Sequence, residues 1–402
     1  MRASPLFGPS RRQVLRGAGA AAVATLLPRR FAAAARPAPV RIGLLLPYSG
    51  TYAMLGTAIT DGLKLRLAEA GETLAGRPVD YIAVDSEASP PQAPQNTRKL
   101  VVRDRVDFLV GPVHSGVALA MAQIVAARGG PIMIIPNAGA NALTRELCAR
   151  NVFRASFSNW QTGYPCGKVM ADDGHRRIVT ITWRYAAGDE IMGGGAEHFE
   201  ALGGRVDKHI RVPFPDVSFQ PHLSEIAALA PDAVFAFFSG GGAVQFVRDY
   251  AAAGLKDRIP LYGPGFLTEG VAAAQGAAAD GIRSTLHYVD DLDLPANRRF
   301  RDAYRLAYGR EADVFAVQGY DTGTLIVQAM AAVDGDTAAV ADIARALEGA
   351  RLDDSPRGPW RMSPAHNPVQ TFYLRDVQEG RHRFLGIAAE ALADPAIGCA
   401  LG

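Results

Sequence analysis

Residues 40–56 read VRIGLLLPYSGTYAMLG, and this stretch decides the fold. Its first seven residues form a near-continuous apolar run that Pro47 ends, which is typical of a strand buried on both faces in a parallel sheet. Apolar residues at mixed helical spacing then predict a helix over residues 56–70. A buried strand followed by a helix is the unit from which α/β proteins are built.

The same unit recurs before residue 136. The helix predicted over residues 91–103 has a proline in its first turn, and Ser115 is predicted to cap the helix over residues 115–127. The predicted strands of this region are 79–85, 108–110 and 132–135. Four such units in about 100 residues predict a parallel sheet flanked by helices.

A second series of strands and helices begins near Phe157. Its predicted helices are 161–173, 193–202, 219–229, 243–253, 296–308, 315–333 and 340–349. Its predicted strands are 178–182, 206–212, 233–238, 259–262, 282–289, 369–374 and 384–387. No low-complexity linker separates the two series, which predicts two α/β lobes that form a hinged pair with a cleft between them.

The composition is that of a folded protein without a basic surface. Of the 402 residues, 49% are hydrophobic and 20% are charged, and three cysteines are too few for a disulfide-built scaffold. The chain has 42 basic and 40 acidic residues, but residues 1–35 hold six arginines and no acid, which leaves 36 basic against 40 acidic residues. This net charge of −4 predicts that the folded part does not bind nucleic acid.

Residues 1–35 are predicted to be an export signal of the twin-arginine type. Arg11 and Arg12 precede an uncharged stretch of 12 residues at 17–28, and small residues follow at 32–35. A bilayer span needs about 20 apolar residues, so the stretch is too short for an anchor. General secretory export and an arginine-rich tail are the alternatives. Either export route predicts a soluble protein in the periplasm.

Motifs of common enzyme classes are missing or incomplete. The sequence GYPCGKV at residues 163–169 is one residue short of a phosphate-binding loop, and Val169 stands where Ser or Thr would bind magnesium. The sequence contains no H-E-x-x-H motif and no paired C-x-x-C, so it predicts no metal site and no cofactor. A hydrolase is the least favoured class of function.

Five short stretches carry a family resemblance through their order and spacing. They are PYSGTYAMLG at 47–56, GPVHSG at 111–116, PNAGANALT at 136–144, VFR at 152–154 and QGYD at 318–321. On these stretches the chain from Val40 to its end resembles the type I periplasmic binding proteins of the leucine/isoleucine/valine-binding family, the ligand receptors of ABC importers.

The resemblance implies an α/β fold of two doubly wound parallel-sheet lobes joined by a three-crossover hinge. Lobe 1 is expected to hold residues 40–157 and 288–361, and lobe 2 residues 158–287 and 362–402. The implied partners are a small-molecule carboxylate and the membrane permease subunits of an ABC importer, and the receptor is expected to be a monomer. A ligand-sensing subunit of a signalling system is the alternative.

The resemblance also places a ligand carboxylate in the turns after the third and fourth strands. A helix N-terminus offers free N–H groups and the positive end of the helix dipole, which suit an anion. For Ser115 the alternative is a role as helix cap only, and for His114 a structural role. The implied ligand-binding residues are Val113, His114, Ser115, Asn137, Ala138 and Gly139.

The chain departs from amino-acid receptors where those proteins bind the ligand ammonium. Their acidic residue falls at Gly265, which Phe266 follows, and Leu55 stands where a ring covers the ligand. Burying an unpaired ammonium is costly. An aromatic acid is therefore favoured. A branched-chain or other amino acid is the alternative if Asp189 or Glu190 reaches the cleft.

Aromatic residues near the turns are candidate walls for a flat ring. The segments around them look like those of the family's subgroup that is associated with aromatic acids. For each ring, ordinary packing within a lobe is the alternative. The candidates are Trp160, Tyr185, Phe238 and Phe266.

The three cysteines allow one disulfide in an exported protein. Cys148 with Cys399 is the preferred pair, which would tie the region of the first crossover to the C-terminus. Cys166 then remains without a partner. Buried free thiols are the alternative.

Overall fold

The structure is a computed structural model that describes residues 37–127 and 130–401, so the predicted export signal at residues 1–35 lies outside the described residues. The strands are β1 (Val40–Leu46), β2 (Thr73–Leu74), β3 (Arg77–Asp85), β4 (Phe108–Val110), β5 (Ile132–Ile135), β6 (Val152–Arg154), β7 (Arg177–Trp183), β8 (Arg205–Val212), β9 (Ala233–Phe237), β10 (Leu261–Pro264), β11 (Arg283–Leu286), β12 (Arg351–Leu352), β13 (Trp360–Met362), β14 (Pro368–Gln378) and β15 (Arg381–Leu392). The helices are α1 (Ala53–Glu69), α2 (Ala93–Arg98), α3 (Ser115–Ala126), α4 (Asn159–Asp172), α5 (Ala186–Ala201), α6 (Gln220–Leu229), α7 (Gly240–Ala252), α8 (Ala272–Gln275), α9 (Pro295–Tyr308), α10 (Val314–Ala332) and α11 (Val340–Glu348).

The first sheet has six strands in the order β2-β3-β1-β4-β5-β6. Along this order, each strand from β3 to β6 is parallel to its neighbour, and the short β2–β3 hairpin is antiparallel. β1 coincides with the apolar run of the sequence, and Ile42, Leu44, Leu45 and Leu46 are at most 1% exposed. A central strand covered on both faces has no solvent side to fill with polar residues, which explains the continuous run.

Helix pairs approach closely where glycines face the partner helix. α1 packs against α10, where a Cβ at Gly62 would overlap the carbonyl oxygen of Ala316. α4 packs against α5, where a Cβ at Gly163 would overlap the carbonyl oxygen of Ile191. Gly163 opens the incomplete phosphate-loop motif, so helix packing accounts for this glycine. None of the described helices is long and apolar enough to cross a membrane.

The second sheet is mixed, with the order β12-β13-β14-β11-β10-β9-β7-β8 and with β15 paired to β14. The strands from β8 to β11 are parallel, whereas β14 is antiparallel to each of its neighbours β11, β13 and β15. β14 and β15 are joined by a tight turn, which permits only antiparallel pairing. The predicted α/β fold of two lobes is confirmed, with an antiparallel edge added to the second sheet.

The predicted division of the chain between the lobes remains a prediction. β12 falls within the 288–361 segment expected in lobe 1, and β13 begins in that segment and ends at Met362. Both strands join the second sheet through the pairing of β13 with β14. Sheet pairing alone therefore groups these short strands with lobe 2.

The predicted disulfide is present. Cys148 and Cys399 are bonded, with 5.6 Å between their Cα atoms, and the bond ties the loop before β6 to the C-terminal segment. Cys166 is a buried free thiol whose Sγ lies 3.0 Å from Thr285 Oγ1. Burial raises the pKa of Cys166 to about 11, so the thiol stays protonated at neutral pH.

Candidate functional site

A cavity lies where the carboxyl ends of strands from both sheets meet, with about 320 Å³ of empty space that includes open solvent. Ligands of parallel α/β sheets bind at this end of the strands. Seven of the twelve predicted residues line it, namely Leu55, Val113, Ser115, Asn137, Gly139, Tyr185 and Phe266.

The start of α3 forms one end of the cavity, and its cap differs from the prediction. His114, not Ser115, is the N-cap residue: its backbone is extended, and its Nδ1 accepts the Gly116 N–H at 3.1 Å. The imidazole nitrogen replaces the oxygen that usually serves in this position, and Ser115 becomes the first helical residue. The Ser115 hydroxyl is thereby free of a capping role, and its oxygen accepts from Asn159 Nδ2 at 3.2 Å.

Five predicted residues lie outside the cavity lining, and His114 and Ala138 are the two that stand beside the ligand turns. The His114 ring stacks on Tyr185 at 4.3 Å between ring centroids, and burial lowers the pKa of His114 to about 4, so the ring is neutral at neutral pH. The Ala138 N–H donates to the Pro112 carbonyl oxygen at 3.1 Å. His114 therefore supports a wall of the cavity without adding charge, and the N–H of Ala138 is not available to a ligand.

Two backbone donors remain available beside Ser115. Among the described residues, the N–H groups of Ser115 and Gly139 have no protein acceptor. A Cβ at Gly139 would overlap Asn159 Oδ1, so only glycine fits at this turn. The amide of Asn137 is oriented by its bond to Gln318, with 2.8 Å between Nδ2 and Oε1. These groups give this end of the cavity hydrogen-bond donors and no negative charge.

The two acids that could have reached the cleft do not line the cavity. Glu190 Oε2 accepts from the Asn141 N–H at 2.9 Å and from Asn159 Nδ2 at 2.7 Å, and burial raises the pKa of Glu190. Asp189 pairs with Arg211 at 2.8 Å. Glu190 therefore orients Asn159, which in turn donates to Ser115.

The rest of the lining is largely aromatic. Tyr185 and Phe266 lie in it as predicted, and the Tyr185 hydroxyl is 2.9 Å from that of Tyr52. Phe266 contacts Phe157 at 5.0 Å and Phe315 at 6.1 Å between ring centroids. Such spacings are those of packed aromatic pairs, so the walls form a continuous apolar surface suited to a flat ring.

Two of the predicted walls point away from the cavity. The Trp160 Nε1–H donates to Glu197 Oε2 at 2.9 Å, so this ring faces the outside of α4. Phe238 packs into the core against Trp183 at 5.1 Å, and the preceding Phe237 lines the cavity instead. Successive side chains at a strand end point to opposite faces, so only one of the two neighbouring rings can reach the site.

The turn at Gly265 lies outside the lining and has no room for an acid. A Cβ at Gly265 would overlap Arg375, whose Nη2 donates to the Gly265 carbonyl oxygen at 2.8 Å. The nearby carboxylate of Glu269 is paired with Arg375 at 2.5 Å and accepts the Val314 N–H at 2.7 Å. Among the residues that the structure describes, no Asp, Glu, Lys, Arg or His lines the cavity.

Eight lining residues were not among the predicted ones. Tyr52 stands inside the family-like stretch 47–56, and the alternation of β9 could have indicated Phe237. Phe315 comes from a distant helix, and no local pattern marks it. The eight are Tyr52, Phe157, Asn159, Ala187, Ile191, Phe237, Ser239 and Phe315.

Two α/β lobes that enclose a small cavity, with hydrogen-bond donors at one end and aromatic walls, are the architecture of a solute receptor. A sequence model of the periplasmic binding proteins matches residues 39–382. The chain belongs to the periplasmic binding protein family, as the resemblance predicted.

Relatives with known names or structures agree with this class. Leu/Ile/Val-binding protein homolog 6 of Brucella melitensis is 31% identical, over 86% of this chain and 89% of the relative. A solute-binding protein of an ABC transporter from R. palustris, solved in complex with benzoate, is 52% identical, with a TM-score of 0.88 over 90% of this chain and 100% of that one. Another from Rhodopseudomonas palustris BisB5, in complex with 3,4-dihydroxybenzoic acid, is 29% identical, with a TM-score of 0.83 over 89% and 99%.

Proposed function

We propose that this protein is the solute-binding component of an ABC importer and that it captures an aromatic carboxylate. The observation that carries the proposal is the lining of the cavity, which combines aromatic walls with amide and hydroxyl donors and has no charged side chain among the described residues. An anion with a flat apolar body is complementary to such a site.

The carboxylate binds at the start of α3. Ser115 and Gly139 line this end of the cavity, and among the described residues their N–H groups have no protein acceptor. Hydrogen bonds to a charged acceptor contribute about 1.5–3 kcal/mol each, and the positive end of the helix dipole adds to the attraction. These N–H groups and the Ser115 hydroxyl therefore offset the desolvation of a carboxylate.

An amino-acid ligand would leave its ammonium without a partner. Glu190 is occupied by Asn159 and Asn141, and Glu269 is occupied by Arg375. Closing the lobes over an unpaired cation costs several kcal/mol. An aromatic acid has no cation, and its ring gains roughly 25 cal/mol for each Å² of apolar surface buried.

The solved relatives support the same class of ligand. The R. palustris protein that is 52% identical holds benzoate, and the BisB5 protein holds 3,4-dihydroxybenzoic acid. The Brucella relative is named after leucine, isoleucine and valine, so branched-chain amino acids are the second candidate.

The proposal includes a periplasmic location, delivery of the closed form to membrane permease subunits, and no catalysis. In the described structure, the lining contains no carboxylate, imidazole, thiol or amine to serve as a general base for Ser115 or Ser239. The family supports the location and the permease partner. The monomeric state expected from the resemblance stays a prediction that light scattering tests.

Titration calorimetry with benzoate and with leucine tests the proposed ligand class. We expect benzoate to bind and to raise the unfolding temperature, since a ligand that binds only the folded state stabilises it, whereas leucine does neither. Tight binding of leucine with no detectable binding of benzoate would overturn the proposal in favour of the second candidate. Turnover of a small ester by the purified protein would contradict the absence of catalysis.

A further inference from the structure

Ser239 brings a hydroxyl without a partner into the cavity. It is the second residue after the end of β9, lines the cavity, and is 4% exposed. Among the described residues, its Oγ makes no hydrogen bond. Buried polar groups are nearly always paired, so a buried hydroxyl that faces a ligand cavity indicates a group that the ligand satisfies.

The position of Ser239 makes this free hydroxyl unusual. Ser239 is the N-cap residue of α7, and a serine there normally accepts an N–H from the first turn of its own helix. In this structure Thr51 takes that role, because its Oγ1 accepts the Gly242 N–H at 3.2 Å.

Thr51 reaches α7 from the other side of the cavity. It lies between β1 and α1 of the first sheet, whereas α7 follows β9 of the second. Gly240 permits Thr51 to approach α7 for two reasons. A Cβ at this position would overlap the Thr51 carbonyl oxygen, and the φ of Gly240 is +59°, a conformation that favours glycine. The contact between the two sides caps α7 and leaves the Ser239 hydroxyl to the cavity.

We propose that the Ser239 hydroxyl binds a hydroxyl group on the ring of the ligand, so that the protein selects hydroxylated aromatic acids over benzoate. This inference rests on the proposed function. The carboxylate donors at Ser115 and Gly139 follow strands of the first sheet, and Ser239 follows a strand of the second. A ring hydroxyl can both donate to and accept from Ser239, which no apolar neighbour in the cavity can do.

The selection has a physical basis in the unpaired group. A site that hydrogen-bonds a ligand hydroxyl discriminates against the analogue that lacks it, because the buried partner is then left unsatisfied. One hydrogen bond between neutral groups corresponds to about a 10-fold difference in Kd. We therefore expect 3- or 4-hydroxybenzoate to bind about 10-fold more tightly than benzoate.

Calorimetric titrations of benzoate, 3-hydroxybenzoate and 4-hydroxybenzoate against three forms of the protein test this inference. The forms are the wild type, Ser239→Ala and the control Ser156→Ala. Ser156 also has a buried hydroxyl without a partner in the described structure, but it does not line the cavity. We expect Ser239→Ala to bind benzoate and the hydroxybenzoates with similar affinity, whereas Ser156→Ala should retain the preference for the hydroxylated acid.

The possible outcomes separate this inference from the proposed function. Wild-type protein that binds benzoate as tightly as both hydroxybenzoates overturns the inference alone, and this comparison needs no variant to fold. The inference alone is also overturned if Ser239→Ala keeps the wild-type preference for hydroxybenzoates. It is overturned as well if Ser239→Ala weakens the binding of all three acids equally, since the Ser239 hydroxyl would then bind the ligand carboxylate. Failure of the wild type to bind any of the three acids overturns the proposed function, and the inference with it.

Discussion

Replacement of Ser115 by alanine should weaken ligand binding while leaving the fold intact. The Ser115 oxygen accepts from Asn159 Nδ2 at 3.2 Å, so its own proton is free to be donated to a carboxylate. Loss of one hydrogen bond to a charged group amounts to about 1.5–3 kcal/mol, or roughly a 10- to 150-fold increase in Kd for benzoate. Calorimetry measures this directly.

The same variant should change the free energy of unfolding little. His114 supplies the cap of α3, and Asn159 keeps its stronger bond to Glu190 at 2.7 Å. The destabilisation should therefore stay at or below about 1 kcal/mol in urea denaturation. Benzamide is the control ligand, since it lacks the charge and should lose less affinity than benzoate. An unchanged Kd for benzoate, or an equal loss for benzamide, would refute the reasoning.

Three further predictions follow from named contacts. Burial lowers the pKa of His114 to about 4, whereas an unfolded histidine titrates near 6.5; the unfolded chain therefore takes up the proton first, and the free energy of unfolding falls as the pH drops from about 6.5 to about 4. His114→Asn keeps a capping acceptor, and it should reduce the difference in the free energy of unfolding between pH 7 and pH 5, measured by urea denaturation. An unchanged dependence of this free energy on pH would contradict the prediction. Thr51→Val removes the acceptor for the Gly242 N–H, which joins the two sides of the cavity, so it should weaken the binding of benzoate about 2- to 12-fold in calorimetry. Thr51→Ser keeps the acceptor and should not weaken binding. Equal affinities of the two variants for benzoate would count against the contact. The pair Cys148→Ser and Cys399→Ser should lower the free energy of unfolding by about 2–5 kcal/mol in urea denaturation, because the bond joins residues 251 apart in sequence, and an unaltered midpoint would show that it does not stabilise the fold.

The sequence predicted the parts of the fold that depend on local pattern. β1 begins and ends where its apolar run does, and β4 and β5 also match their predicted bounds. A strand buried on both faces has a continuous apolar signature that proline or a turn interrupts sharply. By contrast, α5 begins at Ala186 rather than 193. Gly194 and Gly195, which follow the predicted start, are packing positions inside the helix, since a Cβ there would overlap Trp160 and Phe235.

The candidate site was predicted less completely because it depends on orientation and on distant contacts. The choice of Phe238 over Phe237 is an error of one residue, and it reverses which ring faces the cavity. The cap at His114 rather than Ser115 is a similar shift by one position. The pairing of Glu269 with Arg375 joins residues 106 apart in sequence, and no local pattern predicts it.

The central claim is that the cavity accepts a carboxylate and excludes an ammonium. Phenylacetate and L-phenylglycine share a ring and a carboxylate and differ only in the amino group, so their calorimetric comparison tests the claim most directly. The structure predicts that phenylacetate binds and that phenylglycine binds at least 100-fold more weakly, since desolvating an unpaired cation costs about 3 kcal/mol or more. Equal affinity, or tighter binding of phenylglycine, would contradict the account.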